Sequence, residues 1–222
     1  MAVTHVARRN VVGVLLAGGK SQRMGRDKAL LEFRGAPMAA WCAAALAQCA
    51  PTLIVSSATA AHARAVARAV SDSWPKFTVL RGVQVFEAVD QTADAGPLGG
   101  LVTAWKSSEA AWSVVSACDT PLVPAEFWRR AVAMLEEHHA VAPQLDRPEP
   151  LVSAWRRSEA LAAAQPLVPQ RAGPHMLLER VHGRLVLEPE LRAWGIDPRL
   201  LASANSPQAL GRLEALASGS EG

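Results

Sequence analysis

The sequence predicts a three-layer α/β/α fold on a mostly parallel, Rossmann-like sheet. Short apolar, β-branched runs alternate with longer stretches rich in alanine and leucine, the pattern of strand–helix–strand units. One of these runs opens straight into a glycine-rich loop, and the carboxyl end of a buried strand is where open α/β sheets bind ligands. The 222 residues suffice for one sizeable core and sit near the upper range for a single α/β domain.

The elements follow in order. Val11-Val12-Gly13-Val14-Leu15 is short, β-branched and bounded by glycine, so it reads as a buried strand. Ala29–Phe33 reads as a short strand ending at Arg34-Gly35, and Pro37 suits the first turn of a helix running to about Cys49. Thr52–Ser56 is a second buried strand, Ala58 to about Ala69 a second helix, and residues 77–86 hold one or two short strands. Asp90 to Leu98 is a loop full of breakers, followed by a helix over Leu98–Lys106. Trp112–Ala117 is a third central strand, ending at Cys118-Asp119-Thr120-Pro121. Pro124 opens a helix expected to end near His138-His139, where charge at a helix carboxyl end suits histidine. Beyond residue 140 the pattern is less regular. Strands are expected at Ala140–Pro143, Leu151–Trp155 and Leu200–Ser203, with helices at 157–164, 174–182 and 207–217. Gln144 to Pro150 reads as a hairpin or loop, and the seven tryptophans are assigned to packing.

Bulk composition excludes several classes. Half of the residues are hydrophobic and 19% are charged, which is ordinary globular composition. The net charge of +3 is small and not gathered into a stripe, which argues against a nucleic-acid module. Three cysteines without C-x-x-C spacing fit a reduced chain with neither a disulfide framework nor a zinc site. No apolar stretch reaches the roughly 18 residues of a membrane helix. A cytoplasmic protein with no membrane partner is the expectation.

Residues 16–28, Leu-Ala-Gly-Gly-Lys-Ser-Gln-Arg-Met-Gly-Arg-Asp-Lys, carry three glycines, two arginines and two lysines. Glycines let backbone N–H groups approach an anion closely, and the cations neutralise it. Nucleoside triphosphate binding is the chemistry indicated. The string matches neither G-x-x-x-x-G-K-[ST] nor G-x-G-x-x-G. Phosphoryl chemistry on such a ligand needs positioning, charge neutralisation and usually a divalent metal, so an aspartate at a strand end is sought. Asp119 fits, directly after Val114–Ala117. A turn or capping aspartate is the bland alternative for that position.

The loop resembles the signature of the molybdenum cofactor guanylyltransferases, L-A-G-G-x-S-x-R-M-G-x-D-K, within the nucleotidyltransferase superfamily. Leu16, Ala17, Gly18, Gly19, Ser21, Arg23, Met24, Gly25, Asp27 and Lys28 fill every fixed position. Ala117–Pro121 resembles the family's C-D-x-P motif, Gly96-Pro97-Leu98 its G-P-L-x-G segment, and Asn205-Ser206-Pro207 its N-T-P element. The resemblance spans about residues 12–212.

It implies transfer of GMP from GTP to the phosphate of the molybdopterin-bound molybdenum cofactor, with release of pyrophosphate. Lys28, Asp119 and Arg23 are then the catalytic set and Asp119 the Mg²⁺ ligand. Leu16, Ala17, Gly18, Gly19, Lys28, Ser56, Asp90, Gly96, Pro97, Leu98, Asp119 and Asn205 would line the nucleotide and acceptor sites. GTP, molybdopterin and molybdoenzymes or their chaperones are the implied partners.

The resemblance further implies one domain at 11–217, with a nucleotide-binding half at about 11–140 and an acceptor-binding half at about 141–217. A flexible extension at 1–10 and a disordered tail at 218–222 would flank it. Two positions depart from the family. Ser56 stands where relatives often carry asparagine, and Glu149-Pro150 where they often carry His-Pro. Two alternatives stay open: a cytidylyl- or sugar-phosphate nucleotidyltransferase on the same fold, and a non-catalytic nucleotide-binding partner of molybdoenzymes.

Overall fold

The computed structural model describes residues 10–18, 27–92 and 95–219. A seven-stranded sheet organises them. Its strands are β1 (Val11–Leu16), β4 (Thr52–Ser57), β5 (Gln84–Val89), β6 (Trp112–Ala117), β7 (Ala140–Gln144), β8 (Val152–Arg156) and β9 (Arg184–Leu187). They lie in the order β5-β4-β1-β6-β8-β7-β9. All pairings are parallel except those of β8, which runs antiparallel to both β6 and β7. A separate two-stranded hairpin joins β2 (Glu32–Phe33) to β3 (Ala36–Pro37). The α/β/α expectation is met.

The alternation of β1 assigns the two faces. Val11 and Leu15 enter one apolar cluster, and Val12, Val14 and Leu16 the other. The first face is covered by α1 (Met38–Leu46), α2 (Ala60–Asp72), α4 (Ala125–Met134) and α7 (Glu188–Ala193). The opposite face is covered by α3 (Gly96–Lys106), α5 (Arg157–Ala164) and α6 (Pro174–Arg180). The last helix, α8 (Pro207–Ala217), closes a smaller cluster in which Leu213 meets Phe33, Met38 and Ala204.

Gly13 is required by the packing of α1. A side chain there would run into Leu53, with Leu46 Cβ only 3.3 Å away. Two adjacent arginines at the end of β8 then tie helices on opposite faces. Arg156 donates to the carbonyls of Leu135 at 2.6 Å and Glu136 at 2.5 Å, just past α4. Arg157 donates to the carbonyls of Ala110 at 2.5 Å and Trp105 at 3.0 Å, at the end of α3. Arg156 ends β8 and Arg157 begins α5, and the two side chains cap one helix on each face.

Some expected elements differ. The helix expected to reach His138-His139 stops at Met134, because Arg156 takes the carbonyls that follow and Glu136 and Glu137 oppose the helix dipole. The strand expected at Leu200–Ser203 is a 3-10 turn at Pro198–Leu201, nucleated by Asp197, whose carboxylate accepts from the Arg199 N–H at 2.9 Å. Of Ala29–Phe33 only the last two residues are extended, since the Met38 N–H donates to the Leu31 carbonyl and folds the segment back. Residues 77–86 give a 3-10 turn at Thr78–Leu80 and the first part of β5. The pairing of β9 and helix α7 have no counterpart in the sequence reading. Trp105, Trp128 and Trp155 are fully buried, whereas Trp74 is 46% exposed.

Candidate functional site

The strand order reverses at β1. The chain runs outward through β4 and β5, returns through α3, and lays β6 on the other side of β1. A crevice opens at such a reversal, beyond the carboxyl ends of the strands. Four of those ends are held in register by backbone hydrogen bonds. The Ala17 N–H donates to the Ser56 carbonyl at 2.9 Å, Asp90 to Ser57 at 2.9 Å, and Cys118 to Leu16 at 3.1 Å. Gly18, Asp90 and Asp119 therefore leave the sheet side by side.

Lys28 reaches into this row. Its Nζ lies 3.2 Å from Asp119 Oδ2 and donates to Asn205 Oδ1 at 2.9 Å. Both charged side chains are about 15% exposed, enough for a ligand to reach them and buried enough for their fields to be weakly screened. Asn205 precedes α8, whose first turn is capped by Ser206 Oγ accepting from the Ala209 N–H at 3.1 Å. The Ala204 N–H donates to the Asp119 carbonyl at 2.8 Å, so the chain ahead of α8 is stitched to the end of β6.

Asp27, beside Lys28, faces the other way. Its Oδ2 lies 2.6 Å from His62 Nε2, and His62 Nδ1 lies 2.7 Å from Ser57 Oγ. Sequence reading missed His62. The only local signal is its place in the first turn of a helix that follows a strand of the site.

On the other side of the crevice, Ser56 Oγ sits 3.0 Å from Asp90 Oδ1 and 3.1 Å from the Gly100 carbonyl. Burial lifts the Asp90 carboxyl above its ordinary value, partly offset by the Ser56 hydroxyl. Gly96 enters α3 at φ +62°, a left-handed conformation that favours glycine. The N-cap of α3 is Ala95, and among the described residues no cap side chain accepts from this turn, whose Gly96 and Leu98 N–H groups and dipole suit an acceptor.

Burial pushes the Cys42 thiol up to about 12 and lifts Cys118 as well, so neither supplies a thiolate near neutral pH. Among the described residues no three His, Cys, Asp or Glu side chains gather into a metal-binding group. Asp119 offers one carboxylate, and a hard cation can take a single carboxylate and complete its shell with phosphate oxygens and water.

Residues 13–185 match the model of the MobA-like NTP transferase domain. The chain belongs to that family.

A probable molybdenum cofactor guanylyltransferase of Bacillus licheniformis is 28% identical over 207 residues, spanning 91% of this chain and 96% of that one. Another, from Synechococcus elongatus, is 32% identical over 154 residues, spanning 66% and 72%. Among solved structures, molybdopterin-guanine dinucleotide biosynthesis protein A from Archaeoglobus fulgidus superposes with a TM-score of 0.68 at 21% identity, covering 94% of this chain and 99% of that one. That likeness establishes the shared fold.

In this MobA-like domain the expected site residues that the structure describes fall into three groups. Lys28, Asp119 and Asn205 meet through side chains, and Gly18 and Asp90 lie near each other, a Cβ at Gly18 falling 3.9 Å from Asp90 Oδ2. Leu16, Ala17, Ser56 and Leu98 are buried, so their side chains face the core, and Ser56 is turned to Asp90 and Gly100. Gly96 and Pro97 are exposed at the start of α3. Gly19 and Arg23, with Met24, lie outside the described residues, as do 1–9, 93–94 and 220–222. Glu149 lies 3.3 Å from Arg147, which offsets its charge. Among the described residues no helix is long and apolar enough to cross a membrane.

Proposed function

We propose that this protein is a cytoplasmic, Mg²⁺-dependent molybdenum cofactor guanylyltransferase. It transfers GMP from GTP to the phosphate of the molybdopterin-bound cofactor. One observation carries the reading: Lys28, Asp119 and Asn205 converge at the reversal of strand order, at the carboxyl ends of β1 and β6. The family and the names of its relatives support the substrates.

An oxygen of the acceptor phosphate attacks the α-phosphorus of GTP, and the bond from that phosphorus to pyrophosphate breaks. Such a reaction asks the protein for alignment and charge neutralisation more than for covalent help. Lys28 supplies a point charge to the triphosphate, and glycines after β1 let backbone N–H groups approach its oxygens closely. The open first turn of α3 offers further N–H donors to an anionic or carbonyl group of the nucleotide. Asn205 holds Lys28 from the acceptor side. Asp119 would hold Mg²⁺, which would supply positive charge to offset the charge that develops on the phosphate oxygens.

Pyrophosphate release tests the reading, measured with Mg²⁺, molybdenum-loaded molybdopterin and each of GTP, CTP, ATP and UTP in turn. Turnover with GTP alone is expected. Turnover with CTP instead keeps the mechanism and overturns the base. Silence with all four, from protein that binds GTP, overturns the transferase reading in favour of a binding role.

A further inference from the structure

We infer that His62 is a positioning residue for the nucleotide loop: it fastens Asp27, and with it the backbone of Lys28, to the end of β4. The inference rests on the proposed nucleotide site and adds to it a residue on α2 that touches neither substrate.

The two ends of the glycine loop are tied to two consecutive residues. Where the loop leaves β1, the Ala17 N–H donates to the Ser56 carbonyl at 2.9 Å. Where the chain returns, Asp27 Oδ2 meets His62 Nε2 at 2.6 Å, and His62 Nδ1 meets Ser57 Oγ at 2.7 Å. Ser56 and Ser57 thus hold both ends of the loop, one through its backbone and the other through an imidazole. The second oxygen of Asp27 accepts from the Ala29 N–H at 3.0 Å, which closes the turn containing Lys28. With Asp27 held toward α2, the next side chain is directed to the opposite side, where Lys28 meets Asp119 and Asn205.

The hydrogen-bond chemistry is consistent along the chain of contacts. A carboxylate only accepts, so His62 Nε2 carries the proton toward Asp27, and in the neutral ring Nδ1 accepts from the Ser57 hydroxyl. The row of serine, histidine and aspartate is not a hydrolytic centre. Ser57 is 1% exposed, so its hydroxyl has no access to a substrate. The imidazole works as a strut of fixed length. Helix α2 aims it by its own N-cap, Thr59 Oγ1 accepting from the His62 N–H at 3.3 Å.

Three variants of the full chain test this: His62→Ala, His62→Gln and His62→Asn. Three quantities are read on each: GTP affinity by calorimetry, amide hydrogen exchange over residues 27–31 in the free protein, and melting temperature. His62→Ala is expected to weaken GTP about tenfold, the size of losing a hydrogen bond to a charged group. Exchange over 27–31 should rise while the melting temperature stays within about 3 °C. His62→Gln keeps a donor at the distance of Nε2 and should restore both affinity and protection. His62→Asn is too short to reach Asp27 and should behave as His62→Ala.

Unchanged affinity and exchange in His62→Ala would overturn the inference. So would a His62→Gln protein as impaired as His62→Ala, or exchange that rises over the whole chain together with a lowered melting temperature. Wild-type protein that binds no GTP, yet still shows faster exchange at 27–31 in His62→Ala, would overturn the nucleotide reading and leave the anchor standing.

Discussion

Lys28 and Asn205, 177 residues apart, are joined by a hydrogen bond of 2.9 Å from Nζ to Oδ1. The contact brings the start of the last helix to the loop that follows the first strand. A lysine has three donors and a flexible stem, so partners on more than one side are needed to hold it in one place. Asp119 and Asn205 are those partners, and at Lys28 the chain after β1 meets the segment that precedes α8.

The side-chain contact gives a non-additive expectation. Lys28→Ala should lower kcat/KM for nucleotide by about 100-fold or more, the scale of removing a preorganised charge-stabilising group. Asn205→Ala should cost about tenfold, because it removes one hydrogen bond to a cation. The double variant should be no worse than Lys28→Ala alone, since Asn205 acts through a group already gone. Steady-state kinetics on the four proteins decides it, and simple addition of the two losses would show Asn205 acting on its own.

Asp119 is expected to divide into a structural and a chemical part. Its backbone carbonyl accepts from the Ala204 N–H at 2.8 Å, an interaction that a side-chain substitution leaves in place. Asp119→Ala should therefore melt close to wild type yet lose Mg²⁺-dependent turnover. Full activity in that variant, or turnover unaffected by chelation of divalent ions, would remove the metal role from Asp119.

Legibility from sequence followed the range of the interactions. Runs such as Val11–Leu16, Thr52–Ser57 and Trp112–Ala117, apolar or carrying only small hydroxyl residues, are strands buried on both faces, and such runs stand out in one dimension. Leu200–Ser203 looked similar, but the 3-10 turn there is set by Asp197 and Pro198 ahead of it. Arg184–Leu187 was invisible because four residues with one buried side chain carry no alternation.

Lys28, Asp119 and Asn205 could be named from short motifs, whereas the distances between them depend on strand order. His62 could not be named. Its tie to Asp27 spans 35 residues and exists only because α2 packs beside the end of β4. Ser56 is named by its place at the end of the second strand, whereas its 1% exposure and its hydrogen bond to Asp90 depend on the packing of β4, β5 and α3.

Asp90 makes a prediction about pH. Burial disfavours its ionised form, so the folded protein binds that proton more tightly than the unfolded chain does. Stability from this group is therefore lost as pH rises from the ordinary aspartate value of 3.8 through the raised folded value, and it levels off above. Asp90→Asn removes the ionisation and keeps an oxygen to accept from Ser56. The variant should gain melting temperature relative to wild type at neutral pH, and the gain should shrink as the pH falls toward 4. A difference independent of pH, measured by thermal unfolding across that range, would mean that the Asp90 carboxyl is not strained by burial.

Gly13 tests how closely the first helix must approach the sheet. A Cβ at this position would collide with Leu53 and stand 3.3 Å from Leu46 Cβ and 3.6 Å from Ala50 Cβ. Leu53 can turn its side-chain end aside, but Leu46 Cβ is fixed to the backbone of α1, so the helix itself must move. Overpacking of this kind costs about 1–3 kcal/mol, enough to lower the melting temperature by several degrees in a chain of this size. Gly13→Ala should show that loss. Because β1 carries both Gly13 and the start of the nucleotide loop, the movement should also reach the crevice, raising the KM for nucleotide modestly with little change in kcat. A variant as stable as wild type would mean that α1 has room to spare over β1.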